Sequence, residues 1–140
     1  MWSWLQRVLG RRSASTSLGG RGEDISERFL KQLGWKILAR DHRNDLGELD
    51  FIALDGETVV FVEVKTRRDT QHGRPVEAVN PEKQRRITRA ALAYLKRRRW
   101  LERRSRFDVL AVVWRVGTTD PEITHYRNAF EAQGHGQMYS

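Results

Sequence analysis

The apolar positions of this chain follow two kinds of spacing. From Gly22 onwards Ile25, Phe29, Leu30 and Leu33 recur at steps of three and four, which lines one face of a helix until Gly34 offers a stop. A second stripe of this kind, Ile87, Ala90, Ala91, Tyr94 and Leu95, follows Asn80 and Pro81. Asparagine is a good N-cap and proline suits the first helical position, so the second helix is expected to open there. Between the stripes the spacing changes. Residues 35 to 39 read as a short strand, 46 to 54 as a longer one and 58 to 64 as a strongly β-forming run. Asp55-Gly56 between the last two is a hairpin signal. Residues 107 to 114 are nearly all apolar, as in a strand covered on both faces, and 123 to 126 make a weaker candidate.

The order helix, three strands, helix, strand predicts an α/β sandwich with a mixed sheet between helices. Residues 66 to 80 form a long connection with Gly73 and Pro75, of the kind that often carries function. Ahead of the domain, residues 1 to 20 read as a leader with Trp2 and Trp4, ending in a Ser/Gly-rich linker over 13 to 20. The domain is expected over 21 to 130, and 131 to 140 are expected to be a disordered tail.

The hairpin makes a geometric prediction. An Asp55-Gly56 turn sets Asp50 opposite Phe61, with Glu63 as its diagonal neighbour and Glu48 directly across from Glu63. Side chains alternate along a strand, so Asp50, Glu63 and Lys65 share a face. Like charges gathered on one face repel unless something neutralises them, and a divalent cation would do so. Carboxylate oxygens without cysteine suit Mg²⁺ or Mn²⁺, and a nearby lysine can stabilise charge developing on a phosphate.

Composition sharpens the choice of partner. The 140 residues contain no cysteine and carry a formal net charge of +8. Disulfide frameworks, thiolate metal sites and thiol catalysis are thereby excluded, and a polyanionic partner is favoured, nucleic acid before anionic membrane. No apolar run approaches the roughly 20 residues that span a bilayer, so a cytoplasmic protein with no integral membrane span is expected. A hydrophobic fraction of 39% supports one core.

The quoted residues also resemble a known pattern. Asp50, then Glu63-Val64-Lys65 across a hairpin after an acidic helix, resembles the PD-(D/E)XK nuclease superfamily of restriction enzymes and archaeal Holliday junction resolvases. The closer resemblance is to the YraN family of bacteria. It is carried by Gly22-Glu23, Gly47-Glu48-Leu49-Asp50, Val62-Glu63-Val64-Lys65, Lys83 and Phe107-Asp108-Val109. The resemblance implies an αβββαβ restriction-endonuclease-like fold, with Asp50 and Glu63 as metal ligands, Glu23 as the helix-borne acid completing the site and Lys65 as the catalytic lysine. The proline of the superfamily motif is Leu49 here.

The expected activity is Mg²⁺- or Mn²⁺-dependent endonucleolytic hydrolysis of DNA, more readily than RNA, and of branched or structured DNA by analogy with the resolvases. A homodimer is a possible form. Two other readings stay open: a nuclease-fold protein that binds nucleic acid without cutting it, and a membrane-surface or assembly factor led by the Trp-rich N-terminus. Arg67, Arg68, Arg74, Lys83 and Arg86 are the expected phosphate contacts, with the basic run over 97 to 106 in support. Trp100 is weighed between base stacking and packing. His42, His72, His125 and His135 have no metal-ligand spacing, and Asp108 is expected to pair with a basic group such as Arg106.

Overall fold

A computed structural model describes residues 17–68 and 79–133. Helix α1 (Leu18–Gln32) is capped by Ser17, whose hydroxyl accepts from the Gly20 amide at 3.0 Å. The helix therefore begins four residues before the apolar stripe that predicts it, and takes in the last three residues of the expected linker. It buries Gly22, Ser26 and Leu30 at four-residue steps. Strands β1 (Lys36–Asn44), β2 (Gly47–Asp55) and β3 (Thr58–Arg67) follow as an antiparallel meander. Helix α2 (Pro81–Arg98) crosses back so that β4 (Ser105–Val113) runs parallel to β3, and β5 (Glu122–Phe130) closes the sheet antiparallel to β4. Strand order equals chain order, β1-β2-β3-β4-β5, with helices on both faces: the αβββαβ core, extended by one strand.

Alternation along the central strands feeds two cores. On one face Ile52, Val59, Phe61, Phe107 and Val109 meet Ile87, Ala90, Ala91, Tyr94 and Leu95 of α2. On the other, Phe51, Ala53, Val60, Val62 and Leu110 meet Leu30 and Trp35. This is why β2, β3 and β4 read as continuous apolar runs. Asn80 caps α2 as expected, accepting from the Lys83 amide at 2.9 Å.

The β2–β3 register corrects the expected one. Gly56 takes a left-handed φ of 62° and, with Glu57, forms the loop, so Asp55 pairs with Thr58 and Phe51 with Val62. Moving the turn by one residue slides the ladder by two and keeps every side chain on its face. Asp50 thus stands directly across from Glu63 rather than diagonally. Glu48 does not face Glu63; it is exposed and pairs across β1–β2 with Arg43, at 3.6 Å.

Backbone pairing between β2 and β3 extends from Asp55↔Thr58 to Phe51↔Val62 and goes no further. Beyond that point β2 pairs with β1 as far as Asn44↔Gly47, and β3 pairs with β4 as far as Arg67↔Val113. The sheet forks, and Asp50 lies where the limbs part.

Candidate functional site

At the fork the next β3 donor, the Val64 amide, gives its hydrogen bond to Asp50 Oδ2 at 2.8 Å. A side-chain carboxylate takes the place of a backbone carbonyl, which fixes Asp50 at the branch point. Its neighbours come from four elements. Across β1–β2 the pairs Arg40↔Phe51 and His42↔Leu49 bracket Asp41, which stands opposite Asp50. Asp41 has a left-handed φ of 54°, a conformation aspartate tolerates better than most residues. From α1, Glu23 reaches the same place, and carboxylate oxygens of Glu23, Asp41 and Asp50 lie within 4.8 Å of one another. Glu63 lies on the β3 limb beside Asp50.

The position of Glu23 has a backbone cause. A Cβ on its neighbour Gly22 would sit 2.2 Å from Thr66 Oγ1 and 3.3 Å from Thr66 Cβ, so α1 approaches β3 this closely because residue 22 is glycine. The other acids of the helix are engaged elsewhere. Arg40 binds Asp24 and Glu27, both at 2.9 Å, and Lys31 binds Glu27 at 3.0 Å. Arg40 lies farther from Glu23, at 3.6 Å, so among these acids it is Glu23 that joins the cluster.

The lysines occupy the other side of the fork. Lys83 Nζ sits 2.6 Å from Glu63 Oε2, closer than Lys65 Nζ at 3.9 Å. The sequence places Lys83 among phosphate contacts, whereas here it is the direct partner of a site acid. These residues open into a cleft of about 370 Å³ lined by Gly47, Glu48, Asp50, Glu63, Lys83, Arg86 and Ile87. Arg86, one of the expected phosphate contacts, lines this cleft. Arg67 is half-buried, its guanidinium donating to the Thr66 carbonyl at 3.3 Å, and Arg68 is exposed. Arg74, the leader over 1 to 16, His72 and His135 lie outside the described residues.

Proton affinities follow from this crowding. Burial, then the charge of Glu63, pushes the Asp50 carboxyl up to about 7, against the Val64 hydrogen bond. Burial, then a hydrogen bond with Asp41 and repulsion from it, pushes Glu23 up to about 8. Burial and the adjoining Lys83 ammonium bring Lys65 down to about 8. Burial works against charge on Lys83 too, but its contacts with Glu63 outweigh that and hold it above the ordinary lysine value. Carboxyls that resist ionisation beside a lysine that gives up its proton readily form a pattern that clusters at functional sites and makes this cluster the candidate.

The donor set fits a hard divalent cation: convergent carboxylate oxygens, with no thiolate or imidazole among the clustered ligands. Asp41 is the member that the sequence does not reveal. It lies in the polar stretch Arg40-Asp41-His42-Arg43, which shows no strand alternation. Trp100 packs, half-buried, against the core on the α2 side, and Arg98 and Arg103 lie over its ring at 5.2 and 4.4 Å. Asp108 partners Arg106 as expected. Fully buried, it accepts from Arg106 Nε at 2.9 Å and from the Asn128 amide at 2.9 Å, and contacts His125 Nε2 at 2.7 Å.

The αβββαβ order and the mixed sheet flanked by two helices make this an α/β protein with a restriction-endonuclease-like core. Within that class the chain belongs to the uncharacterised protein family UPF0102, the YraN family, whose model matches residues 22–112. That span runs from α1 into β4 and contains every acid and lysine of the cluster. The chain is 48% identical over 114 residues to a UPF0102 protein of Geobacter sulfurreducens, covering 81% of this chain and 88% of the relative. It is 40% identical over 141 residues to one of Rhodopirellula baltica, covering 98% and 84%. With one of Rhodococcus opacus it shares 46% over 116 residues, covering 81% and 96%. None of these names states an activity. Among the described residues no helix is long and apolar enough to cross a membrane.

Proposed function

We propose that this protein is a nuclease that uses Mg²⁺ or Mn²⁺ to hydrolyse phosphodiester bonds in DNA, including branched or structured DNA. The observation that carries the reading is the convergence of Glu23, Asp41 and Asp50 from three elements at the sheet fork, beside Glu63, Lys65 and Lys83. So many carboxylates in one half-buried place weaken the fold, and a cation offsets that cost. Asp50, with Glu23 and Asp41, would hold the ion. Bound there, the ion supplies Lewis acidity towards a phosphoryl oxygen and lowers the pKa of a water.

The chain's own groups do the rest. Lys65 supplies an ammonium next to the acids, suited to the charge that builds on the phosphoryl oxygens. Lys83 balances Glu63 and keeps it oriented towards the cleft. Arg86 at the cleft rim binds a neighbouring phosphate and sets the register of the strand without reading its bases. The +8 charge draws the polyanion in. DNA ranks ahead of RNA on the family resemblance.

The test is cleavage of single-stranded, duplex, flapped and four-way DNA with and without Mg²⁺ or Mn²⁺. Metal-dependent cutting is expected, reduced about a hundredfold or more by Lys65→Ala and by Asp50→Asn. Intact substrates in every condition, with wild type and Asp50→Asn alike, reject catalysis. A second reading draws on the 2.6 Å Lys83–Glu63 pair, which occupies an acid of the motif. A nuclease-fold binding protein would show salt-sensitive binding that survives Lys65→Ala, and no cutting.

A further inference from the structure

The solvent face of α2 carries a charge distribution that its place in the fold does not require. Of its 18 residues seven are basic, and the single acid, Glu82, lies in the first turn. Some of these cations have structural reasons. Lys83 is turned to Glu63, and the basic residues of the last turn complement the negative end of the helix dipole. Arg85, Arg86 and Arg89 have neither reason. They are exposed, they lie in the half of the helix nearer its positive end, and among the described residues none has an acidic partner. Arg85 and Arg89 are four apart and repel each other. An ordinary solvated helix face mixes signs; past Glu82 this one carries only cations.

The face begins at the site. Arg86 lines the cleft, Arg89 follows one turn on, and Lys96 and Arg97 lie exposed at the far end. From Arg86 to Arg97 the helix rises about 17 Å, the length of about five base-pair steps of a duplex. Tracks for single strands add aromatic faces on which bases stack. The described aromatics on this side are committed to packing: Tyr94 is buried in the core, and Trp100 packs against that core with Arg98 and Arg103 over its ring. Among the described residues the face offers cations to phosphates and no stacking platform to bases.

We propose that the outer face of α2, from Arg86 to Arg97, carries the sugar-phosphate backbone of a duplex that continues past the cleft, so that the substrate is double-stranded on at least that side. This rests on the nucleic-acid reading of the site and adds the form of the substrate. Contacts of this kind position without reading sequence, so the cleft would be served by duplexes of any sequence.

The test is equilibrium binding of a short labelled duplex and of a single strand of the same length, in EDTA, across a range of salt concentrations. The variant is Arg85→Gln with Arg89→Gln and Lys96→Gln, which leaves the cleft residues in place. A charge-matched control carries Arg28→Gln, Arg115→Gln and Arg127→Gln on other exposed surfaces. For the duplex, the α2 variant should lower the slope of log affinity against log salt by about 2 to 3, each lost phosphate contact accounting for about 0.9. The control should keep the wild-type slope, and single-strand binding should change little in either variant. An unchanged duplex slope in the α2 variant overturns the proposal, as does equal weakening in the control or on single strands. If the wild type binds neither form at low salt, the nucleic-acid reading of the site fails, and this inference with it.

Discussion

Asp50 has two tasks that pull against each other. It accepts the Val64 hydrogen bond that finishes the β2–β3 pairing, and burial, with the charge of Glu63 beside it, raises its pKa to about 7. In the unfolded chain an aspartate titrates near 3.9. The folded state therefore binds more protons between those values, so the stability contributed by protonated Asp50 is present below about pH 4 and lost as pH rises through 7. Without divalent ions, melting temperature should fall from pH 5 to pH 8 by several degrees more in wild type than in Asp50→Asn, each kcal/mol making a change of roughly 2 to 6 °C in a chain of this size. Mg²⁺ or Mn²⁺ should recover the wild-type loss at pH 8. A wild type and variant with parallel pH profiles would refute the assignment. Asp41 offers a second measurement. Asn tolerates the same left-handed backbone, so Asp41→Asn removes charge without strain. We expect Mn²⁺ affinity by calorimetry to drop about tenfold or more, in the range for residues that shape a metal site. Wild-type affinity in this variant would remove Asp41 from the site.

At the scale of elements, α1 delivers Glu23 because of what its neighbour lacks. Gly22→Ala must push the helix from β3 or displace Thr66, and overpacking of this kind costs about 1 to 3 kcal/mol. Urea denaturation should show that loss, and Thr66→Ala in the same chain should restore part of it, since it removes the atoms nearest the new methyl. Additive losses in the double variant would place the strain elsewhere. The hairpin between β2 and β3 shows how far such local rules reach from sequence alone. Asp55-Gly56 announces a turn, and Gly56 does supply the left-handed residue, but it is the first of the two loop residues rather than the second. Composition does not distinguish these placements, which differ by two residues in register. The face shared by Asp50, Glu63 and Lys65 survives the difference because side chains repeat every two residues. The distal half of β1 left no comparable trace. Arg40 to Asn44 are all polar, so strand prediction from apolar alternation stops at Ala39, although Asp41 to Asn44 run on beside the limb of β2 beyond the fork.

Across the whole molecule, the legible parts are those that bury surface. Both helical stripes, the three central strands and the mixed sheet follow from apolar periodicity, and Asn80-Pro81 marks the start of α2 within the chain. The motif acids and Lys65 are legible because the hairpin ties them to one face. Asp41 and the Lys83–Glu63 contact are not, since both depend on distances between elements that meet only in the folded sheet. The Asp108 cluster falls between these cases. Its pairing with Arg106, two residues away, can be anticipated, while His125 and the Asn128 amide arrive from β5, where a bulge opposite Phe107 and Val109 and a left-handed Asn128 aim that amide at the buried carboxylate.

The fork also joins two properties that are separate in most sheets. In an unbroken ladder, backbone groups close the pairing and side chains are free to vary. Here one aspartate oxygen is a rung. Cohesion of the sheet and charge at the cleft are carried by the same few atoms, so whatever draws electrons from that carboxylate also slackens the grip on the Val64 amide. A cation at Asp50 would thus be felt along β3 as far as Lys65, one residue on, without any movement of the helices.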